Sequence, residues 1–250
     1  MAEKAKRNIK LIIAYDGTRF SGWQRQGNTE NTLQALVESA ASSAVGETVD
    51  LIGASRTDAG VHANGQTANF LTGSKLSSAD LLKKMNEILP ADVAVLSAAD
   101  MPERFHARYN ATGKIYRYHI RNAAVQNPFT RKYSCHVPET LNLPAMQEAV
   151  TLLAGKRDFK AFSTGKTKKS TVKTLTDITV SRENDDVVIT FRGDSFLYNM
   201  ARILTGTILE CGMGKRKPDS IPAIFDANSR AEAGFTAPAH GLFLDAVYYE

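Results

Sequence analysis

Alternation between apolar, strand-like runs and helical segments constrains the fold of this chain more than any other feature of its sequence. Along the N-terminal part the pattern predicts strand, helix, strand, strand, helix and strand at residues 8–15, 29–45, 49–53, 65–71, 78–89 and 92–98. Gly17, Gly46 and Pro90 follow three of these elements and are typical of turns and helix ends. This order predicts an α+β half in which two helices pack on a small sheet.

The rest of the chain repeats the theme with different lengths. Strands are predicted at residues 113–121, 177–182, 187–193 and 241–249, and helices at 143–154 and 196–211. A hairpin is expected to turn at residues 184–186. We therefore expect an α+β protein of two similar, ferredoxin-like halves, residues 1–103 and 104–250, with mixed, largely antiparallel sheets joined side by side and helices packed on the sheet. Ligands tend to bind between such halves, so an active-site cleft is expected there.

Composition indicates an ordinary soluble protein, since 43% of the residues are hydrophobic and 23% are charged. No run approaches the roughly 18 apolar residues of a membrane span, and the first residues lack the apolar centre of a secretion signal. We therefore expect a cytoplasmic protein without a membrane partner, in which Cys135 and Cys211 are reduced, structural thiols.

Positive charge is concentrated in two blocks that contain no acidic residue. Residues 104–138 carry seven Lys and Arg side chains, and residues 159–176 carry five. A solvated surface is one explanation for such blocks, and a polyanionic partner is the other. The first block also contains the aromatic residues Tyr109, Tyr116, Tyr118, Phe129 and Tyr133. Because unpaired bases are bound by aromatic stacking in a cationic groove, the combination favours a nucleic-acid partner.

A short loop between two glycines contains the first candidate catalytic group. Gly53 and Gly60 flank a segment in which Asp58 follows Arg56 by two positions. Glycines permit sharp turns on both sides of the carboxylate, and functional side chains are often placed on loops between strands. Taken alone, the pattern is also that of an ordinary turn in which Asp58 caps backbone amides.

Two further segments place polar or aromatic groups where they need an explanation. In the strand predicted at 113–121, alternation puts Tyr116 and Tyr118 on one face, where they either pack in a core or stack on bases. Arg202 is the only charge among residues 195–209, in a segment that predicts a buried helix. Arg202 therefore either pairs with a carboxylate, whose pKa it would lower, or reaches solvent at an edge.

Other kinds of chemistry have no support in the sequence. The chain contains no Walker phosphate loop, no dinucleotide-binding glycine motif, no nucleophile elbow and no zinc-protease motif. Its five histidines are not spaced as metal ligands. We therefore predict neither a metal nor a cofactor.

Six short motifs follow one another along almost the whole chain, at residues 15–24, 56–63, 104–118, 158–162, 196–202 and 241–244. In sequence and in order they resemble the TruA family of tRNA pseudouridine synthases. This collinearity outweighs the alternatives that each motif leaves open by itself. Ser55 stands where the family usually has Gly, and Ala201 where a bulkier aliphatic residue is common. Neither departure removes a reactive group.

The resemblance implies an enzyme that isomerises uridine to pseudouridine without a cofactor. It matches Asp58 to the catalytic carboxylate, which acts as a nucleophile or as the base for a ribose proton. Tyr116 matches a tyrosine that stacks on the target base, Arg202 the arginine that pairs with the carboxylate, and Arg56 a residue that helps to displace the base. We expect these four in one cleft. Further substrate-binding residues are expected in the basic blocks: Arg104, His106, Arg108, Lys166, Lys168 and Lys169.

The resemblance also implies a partner and an assembly. The family acts on uridines at positions 38 to 40, in the anticodon stem-loop of tRNA, and works as a homodimer in which one tRNA touches both subunits. Two alternatives stay open. One is a catalytically silent RNA-binding protein with the same fold, and the other is a pseudouridine synthase with a different RNA target.

Overall fold

The computed structural model describes residues 6–165, 168 and 170–249. The chain divides into two compact units. The first comprises residues 1–112 and 244–250, and the second comprises residues 113–243. The C-terminal strand therefore ends within the first unit.

The first unit has the order of strands and helices that the sequence predicts. Its elements are β1 (Arg7–Tyr15), α1 (Leu33–Val45), β2 (Ile52–Gly53), β3 (His62–Thr72), α2 (Ser78–Ile88) and β4 (Val93–Met101). β1 lies between β3 and β4 and is antiparallel to both, and β2 pairs antiparallel with β3. The predicted order β-α-β-β-α-β is confirmed for this unit.

Capping residues set the ends of the two helices. The hydroxyl of Thr32 accepts the backbone N–H of Ala35 at 3.4 Å, so α1 begins after Thr32 and the predicted start at residue 29 is wrong. Ser77 caps α2 in the same way, accepting the N–H of Asp80 at 3.1 Å. Gly46 ends α1 with a φ of 78°, in the left-handed region that favours glycine.

The second unit is built on a sheet in the order β5-β9-β8-β7, in which each neighbouring pair is antiparallel. The elements after β4 are β5 (Ala111–Arg121), β6 (Cys135–His136), α3 (Leu143–Leu153), β7 (Gly155–Asp158), β8 (Val172–Glu183), β9 (Asp186–Gly193), α4 (Met200–Gly212), α5 (Ile221–Ala227) and β10 (Leu242–Tyr249). β6 pairs parallel with β5, and α3 packs on α4 and β8. The α+β class with mixed, largely antiparallel strands is confirmed.

Two asparagines in the left-handed region shape this unit. Asn184, with a φ of 53°, lies in the turn of the β8–β9 hairpin, which confirms the hairpin predicted there. Asn199, with a φ of 61°, immediately precedes α4. The helix predicted from residue 196 therefore begins only at Met200, because a left-handed residue interrupts the helical backbone.

No helix within the described residues is both long enough and apolar enough to cross a membrane.

Candidate active site

Asp58 lies in the loop between β2 and β3, and hydrogen bonds fix the backbone of this loop on its N-terminal side. Gln66 of β3 is fully buried. Its Oε1 accepts the N–H of Ser55 at 3.1 Å, and its Nε2 donates to the carbonyl of Ser55 at 2.7 Å. The N–H of Val61 donates to the carbonyl of Asp58 at 3.1 Å, and Gly60 turns the chain between them with a φ of 78°.

Thr57, the residue before the carboxylate, is held by an N-terminal segment of the same unit. Its Oγ1 lies 2.7 Å from the hydroxyl oxygen of Tyr15, and its carbonyl accepts the N–H of Trp23 at 3.0 Å. Gly22, with a φ of 94°, approaches so closely that a Cβ there would lie 2.9 Å from the carbonyl oxygen of Thr57. These contacts leave the backbone beside Asp58 little freedom to move.

The bracketing glycines have different roles. Gly60 has the positive φ expected of a turn, but Gly53 does not and instead lies in β2. A Cβ on Gly53 would lie 2.2 Å from Nε1 of the buried Trp23. The sequence-based interpretation of Gly53 as a turn residue was therefore wrong. Glycine is required there because Trp23 leaves no room for a side chain.

Within this fixed backbone the two charged side chains remain accessible. Asp58 is partly exposed and Arg56 is exposed, whereas Ser55 and Thr57 between and beside them are buried. The loop therefore leaves a carboxylate and a guanidinium accessible, while the residues that hold it are buried. Such an arrangement suits a reactive group whose position must be fixed before the substrate arrives.

A second presented segment of the first unit is the turn at residues 104–110. Arg104 and Arg108 are exposed, and His106 is partly exposed. The buried amide of Asn69 holds this turn by accepting the N–H of Ala107 at 2.8 Å. The structure thus brings three of the predicted substrate-binding residues together on one turn.

The tyrosines of β5 alternate as predicted, with Tyr116 and Tyr118 buried and Arg117 exposed. The ring of Tyr116 meets that of Phe196 edge-on, with centroids 4.8 Å apart. The hydroxyl of Tyr118 donates to the carbonyl of Pro238 at 2.8 Å, and burial raises the pKa of Tyr118. Tyr118 is thus a core residue, while Tyr116 contacts the segment that leads into α4.

Arg202 lies in the first turn of α4 and is oriented from two sides. Its Nε donates to the carbonyl of Ala237 at 2.7 Å, and its Nη1 donates to Oδ1 of Asn199 at 3.0 Å. The other end of the Asn199 amide donates to Oγ1 of Thr164 at 2.8 Å. Burial, with a smaller contribution from the charge of Arg202, lowers the pKa of His240. The hydrogen bonds to Ala237 and Asn199 thus fix the direction of the Arg202 guanidinium within its unit.

Of the lysines predicted in the second basic block, Lys168 is exposed. Lys166 and Lys169 lie outside the described residues. Among the residues that the structure describes, no three His, Cys, Asp or Glu side chains are grouped as metal ligands.

Comparison with known proteins assigns the chain to a family. A family model described as tRNA pseudouridine synthase matches residues 11–110 and 149–250, which include the Asp58 loop and α4. The chain belongs to the TruA family of tRNA pseudouridine synthases. As a member of this family it is an isomerase.

The TruA assignment also rests on full-length relatives. The tRNA pseudouridine synthase A of Acetivibrio thermocellus is 46% identical over 97% of this chain and 100% of the relative. The tRNA pseudouridine synthase A 2 of Clostridium tetani is 43% identical over 97% of this chain and 99% of the relative. A solved structure of a dye-decolorizing protein from V. cholerae aligns at 10% identity with a TM-score of 0.21, which is too low to support any inference.

Sequence reasoning missed the residues that hold the candidate groups of this TruA-family chain in place. Gln66 and Asn69 are polar residues inside β3, and Asn199 was interpreted as part of a helix. A buried amide within a strand is a signal, because such groups must find hydrogen-bond partners. The sequence does not show which backbone groups those partners are.

Proposed function

We propose that this chain isomerises uridine to pseudouridine at positions 38 to 40, in the anticodon arm of tRNA, with Asp58 as the catalytic carboxylate. The observation that carries the proposal is the Asp58 loop. In a chain of the TruA family, a partly exposed carboxylate projects from a backbone held by Gln66, Tyr15 and Trp23. A group fixed in this way loses little entropy when the substrate arrives.

The reaction rearranges bonds within one nucleotide. The bond from N1 of uracil to C1′ of ribose breaks, the base rotates, and C5 bonds to C1′. The proton on C5 leaves and N1 gains a proton, so the product is an isomer and no energy source is consumed. Asp58 either attacks the nucleotide or removes a ribose proton, and both routes require its carboxylate to be ionised.

Arg202 supplies the charge that keeps Asp58 ionised in this proposal. A guanidinium paired with a carboxylate lowers the pKa of the carboxylate. The proposed pairing is supported by the fixed direction of the Arg202 side chain, which donates hydrogen bonds to Ala237 and Asn199. In the proposal, Arg202 and Asp58 act on the same uridine.

Tyr116 and Arg56 act on the base. Uridine in a stem must leave its stack before the carboxylate can reach it. Tyr116 stacks on the displaced uracil, with its ring steadied by Phe196. Arg56, exposed and two residues from Asp58, helps to displace the base or fills the space that it leaves.

Lys, Arg and His side chains outside this centre bind the tRNA. The proposed contacts are made by Arg104, His106, Arg108, Lys166, Lys168 and Lys169. Because each neutralised phosphate releases counterions, tRNA binding should weaken steeply as salt rises. The enzyme is proposed to act in the cytoplasm as a homodimer, and sedimentation of the purified chain at assay concentration should give twice the mass of 27.3 kDa. A monomer active at the same concentration would contradict that part.

Mapping of the product tests the function as a whole. Purified protein is incubated with tRNA transcripts that carry a single uridine at position 38, 39 or 40, or cytidine at all three. We expect pseudouridine at the single uridine of each of the first three transcripts and none in the fourth. Pseudouridine at another position would support a different RNA target, and tight binding without any product would support a silent RNA-binding protein.

A further inference from the structure

The turn at residues 104–110 combines exposed charge with a fixed backbone. Arg104, Arg108 and Tyr109 are exposed, and 72% of the surface of Tyr109 is accessible. Within the part of the chain that the structure describes, neither arginine forms an ion pair with a carboxylate. A surface loop with such side chains would ordinarily be mobile.

Buried amides prevent that mobility. Asn8 of β1 is only 2% exposed, and its Nδ2 lies 2.7 Å from the carbonyl oxygen of Phe105 and 3.1 Å from that of Glu103. Asn69 donates to Oδ1 of Asn8 at 2.9 Å and accepts the N–H of Ala107 at 2.8 Å. Buried polar groups that are fully bonded in this way fix a single backbone conformation.

The C-terminal strand adds a third anchor. The hydroxyl of Tyr249 donates to the carbonyl of Ala107 at 2.7 Å, and its ring lies 5.0 Å from that of Phe105. Lys10 lies over both rings, 5.9 Å and 5.8 Å from their centroids. The inner side of the turn is therefore bound to the core of the first unit, while its outer side carries the charges.

His106 and Tyr109 form a pair of stacked rings on the outer side. Their centroids are 4.2 Å apart and their planes are inclined by 32°. Nδ1 of His106 accepts the backbone N–H groups of Arg108 and Tyr109, each at 3.2 Å. Oδ1 of Asn110 accepts the N–H of His106 at 2.6 Å. Because Nδ1 is an acceptor, the imidazole proton lies on Nε2, which is left as a donor.

This geometry leaves one face of the Tyr109 ring for a ligand. His106 covers one face, so the large exposed area belongs to the other face and the ring edge. A ring already held by a neighbour loses less side-chain entropy on binding than a free one. A flat aromatic surface on a turn that also carries two exposed arginines suits an unpaired base with its neighbouring phosphates.

We propose that Tyr109, backed by His106, is a stacking platform for an unpaired base of the tRNA, with Arg104 and Arg108 binding the adjacent phosphates. The proposal rests on the proposed function, because it takes tRNA as the ligand. It adds a base-binding residue that lies outside the catalytic groups, and it gives His106 the role of a positioning residue for the Tyr109 ring.

Substitutions at Tyr109 test the stacking. Loss of base stacking in Tyr109→Leu should weaken tRNA binding about 10-fold, or about 1.4 kcal/mol, while Tyr109→Phe binds like wild type. The KM of pseudouridine formation should rise by a similar factor with kcat unchanged, because the platform holds the ground state and the transition state equally. Tyr248→Leu is the matched control, since Tyr248 is an exposed tyrosine of the same unit, at 48%. Binding is measured by fluorescence anisotropy with a labelled tRNA transcript.

Salt dependence separates stacking from charge. Tyr109→Leu should leave the slope of log Kd against log salt unchanged, whereas Arg104→Gln and Arg108→Gln should each lower it by about one. Wild-type affinity in Tyr109→Leu, or equal loss in Tyr109→Phe, would overturn the platform. Equal thermal unfolding of all variants shows that the turn remains folded. A wild-type protein that forms no pseudouridine would contradict the proposed function, and the binding contrast would still decide the platform.

Discussion

The Asp58 loop and the start of α4 hold their charged side chains by different means. The loop lacks regular structure, and it is held by the side chains of Tyr15 and Gln66 and by the backbone N–H of Trp23. Arg202 projects from a helix, and its guanidinium is fixed at its far end by Ala237 and Asn199. In the first region the contacts determine where the backbone lies, whereas in the second they determine only where the side chain points. Substitution of Gln66, which holds the loop backbone, should therefore reduce stability more than substitution of Asn199, which orients the Arg202 side chain.

Arg202→Gln is the substitution with the largest expected effect on this comparison. Loss of the proposed pairing with Asp58 should lower kcat about 100-fold at pH 7, because a carboxylate displaced by an ångström loses about that factor. If Arg202 pairs with Asp58, removal of its charge should move the acid limb of kcat to higher pH. The measurement is kcat against pH for Arg202→Gln, with Arg192→Gln as the exposed control. An unmoved acid limb would exclude a pairing of Arg202 with Asp58.

Gln66→Leu tests whether the Gln66 side chain fixes the backbone of the Asp58 loop. Loss of the amide leaves the N–H and carbonyl of Ser55 buried without their partner, which should lower the free energy of unfolding by about 3 kcal/mol. Because the backbone beside Asp58 is then less well fixed, kcat should fall about 10-fold. Urea unfolding and kcat are measured beside Gln26→Leu, in which an exposed amide is removed. Full stability with reduced kcat would contradict the view that Gln66 fixes the backbone of the loop.

At the start of α4 we expect the opposite result: substitution of Asn199 should reduce activity more than stability. Asn199→Gly keeps the left-handed backbone but removes the acceptor of Arg202, so kcat should fall about 5-fold with stability within about 1 kcal/mol of wild type. Asn199→Ala should lose the same activity and a further 1 kcal/mol or so through strain at positive φ. Asn199→Asp retains the acceptor and should retain the activity. Loss of activity in Asn199→Asp equal to that in Asn199→Gly would mean that the contact with Arg202 is irrelevant.

His240 gives the smallest expected effect. Burial and the nearby charge of Arg202 lower its pKa below the ordinary 6.5, so the folded chain binds fewer protons than the unfolded chain as the pH falls below that value. Stability contributed by the neutral ring is present above pH 6.5 and is lost as the pH falls towards the folded pKa. Thermal unfolding from pH 7.5 to 5 should therefore show a slope that His240→Gln reduces. An identical slope in both proteins would contradict this assignment.

Elements with a periodic apolar pattern could be predicted from the sequence, whereas individual side-chain hydrogen bonds could not. Periodic apolar side chains located β9, α2 and α3 to within about one residue, because burial of one face imposes the period. The short elements β6, β7 and α5 were not predicted, since they are too short to show a period. Asn199 illustrates a further limit, because its left-handed backbone depends on a side chain whose partners come from elsewhere in the chain.

The candidate site divides in the same way. Asp58 and Arg202 could be selected from the sequence, because a carboxylate between glycines and a lone charge in an apolar segment are both visible there. Gln66, Asn8 and Asn69 could not be selected, because a buried amide acts through hydrogen bonds to backbone groups that are distant in sequence. The roles of the selected residues are predictions that the experiments above are designed to test.

Release of tritium from C5 of uridine tests the central claim, that the Asp58 carboxylate carries out the isomerisation. Uridine-labelled tRNA is incubated under single-turnover conditions with wild type, Asp58→Asn and Asp50→Asn, the last being an exposed carboxylate of the same unit. Wild type and Asp50→Asn should release tritium at equal rates, and Asp58→Asn should release none above the protein-free control while still binding the tRNA. Release by Asp58→Asn at the wild-type rate would contradict the claim.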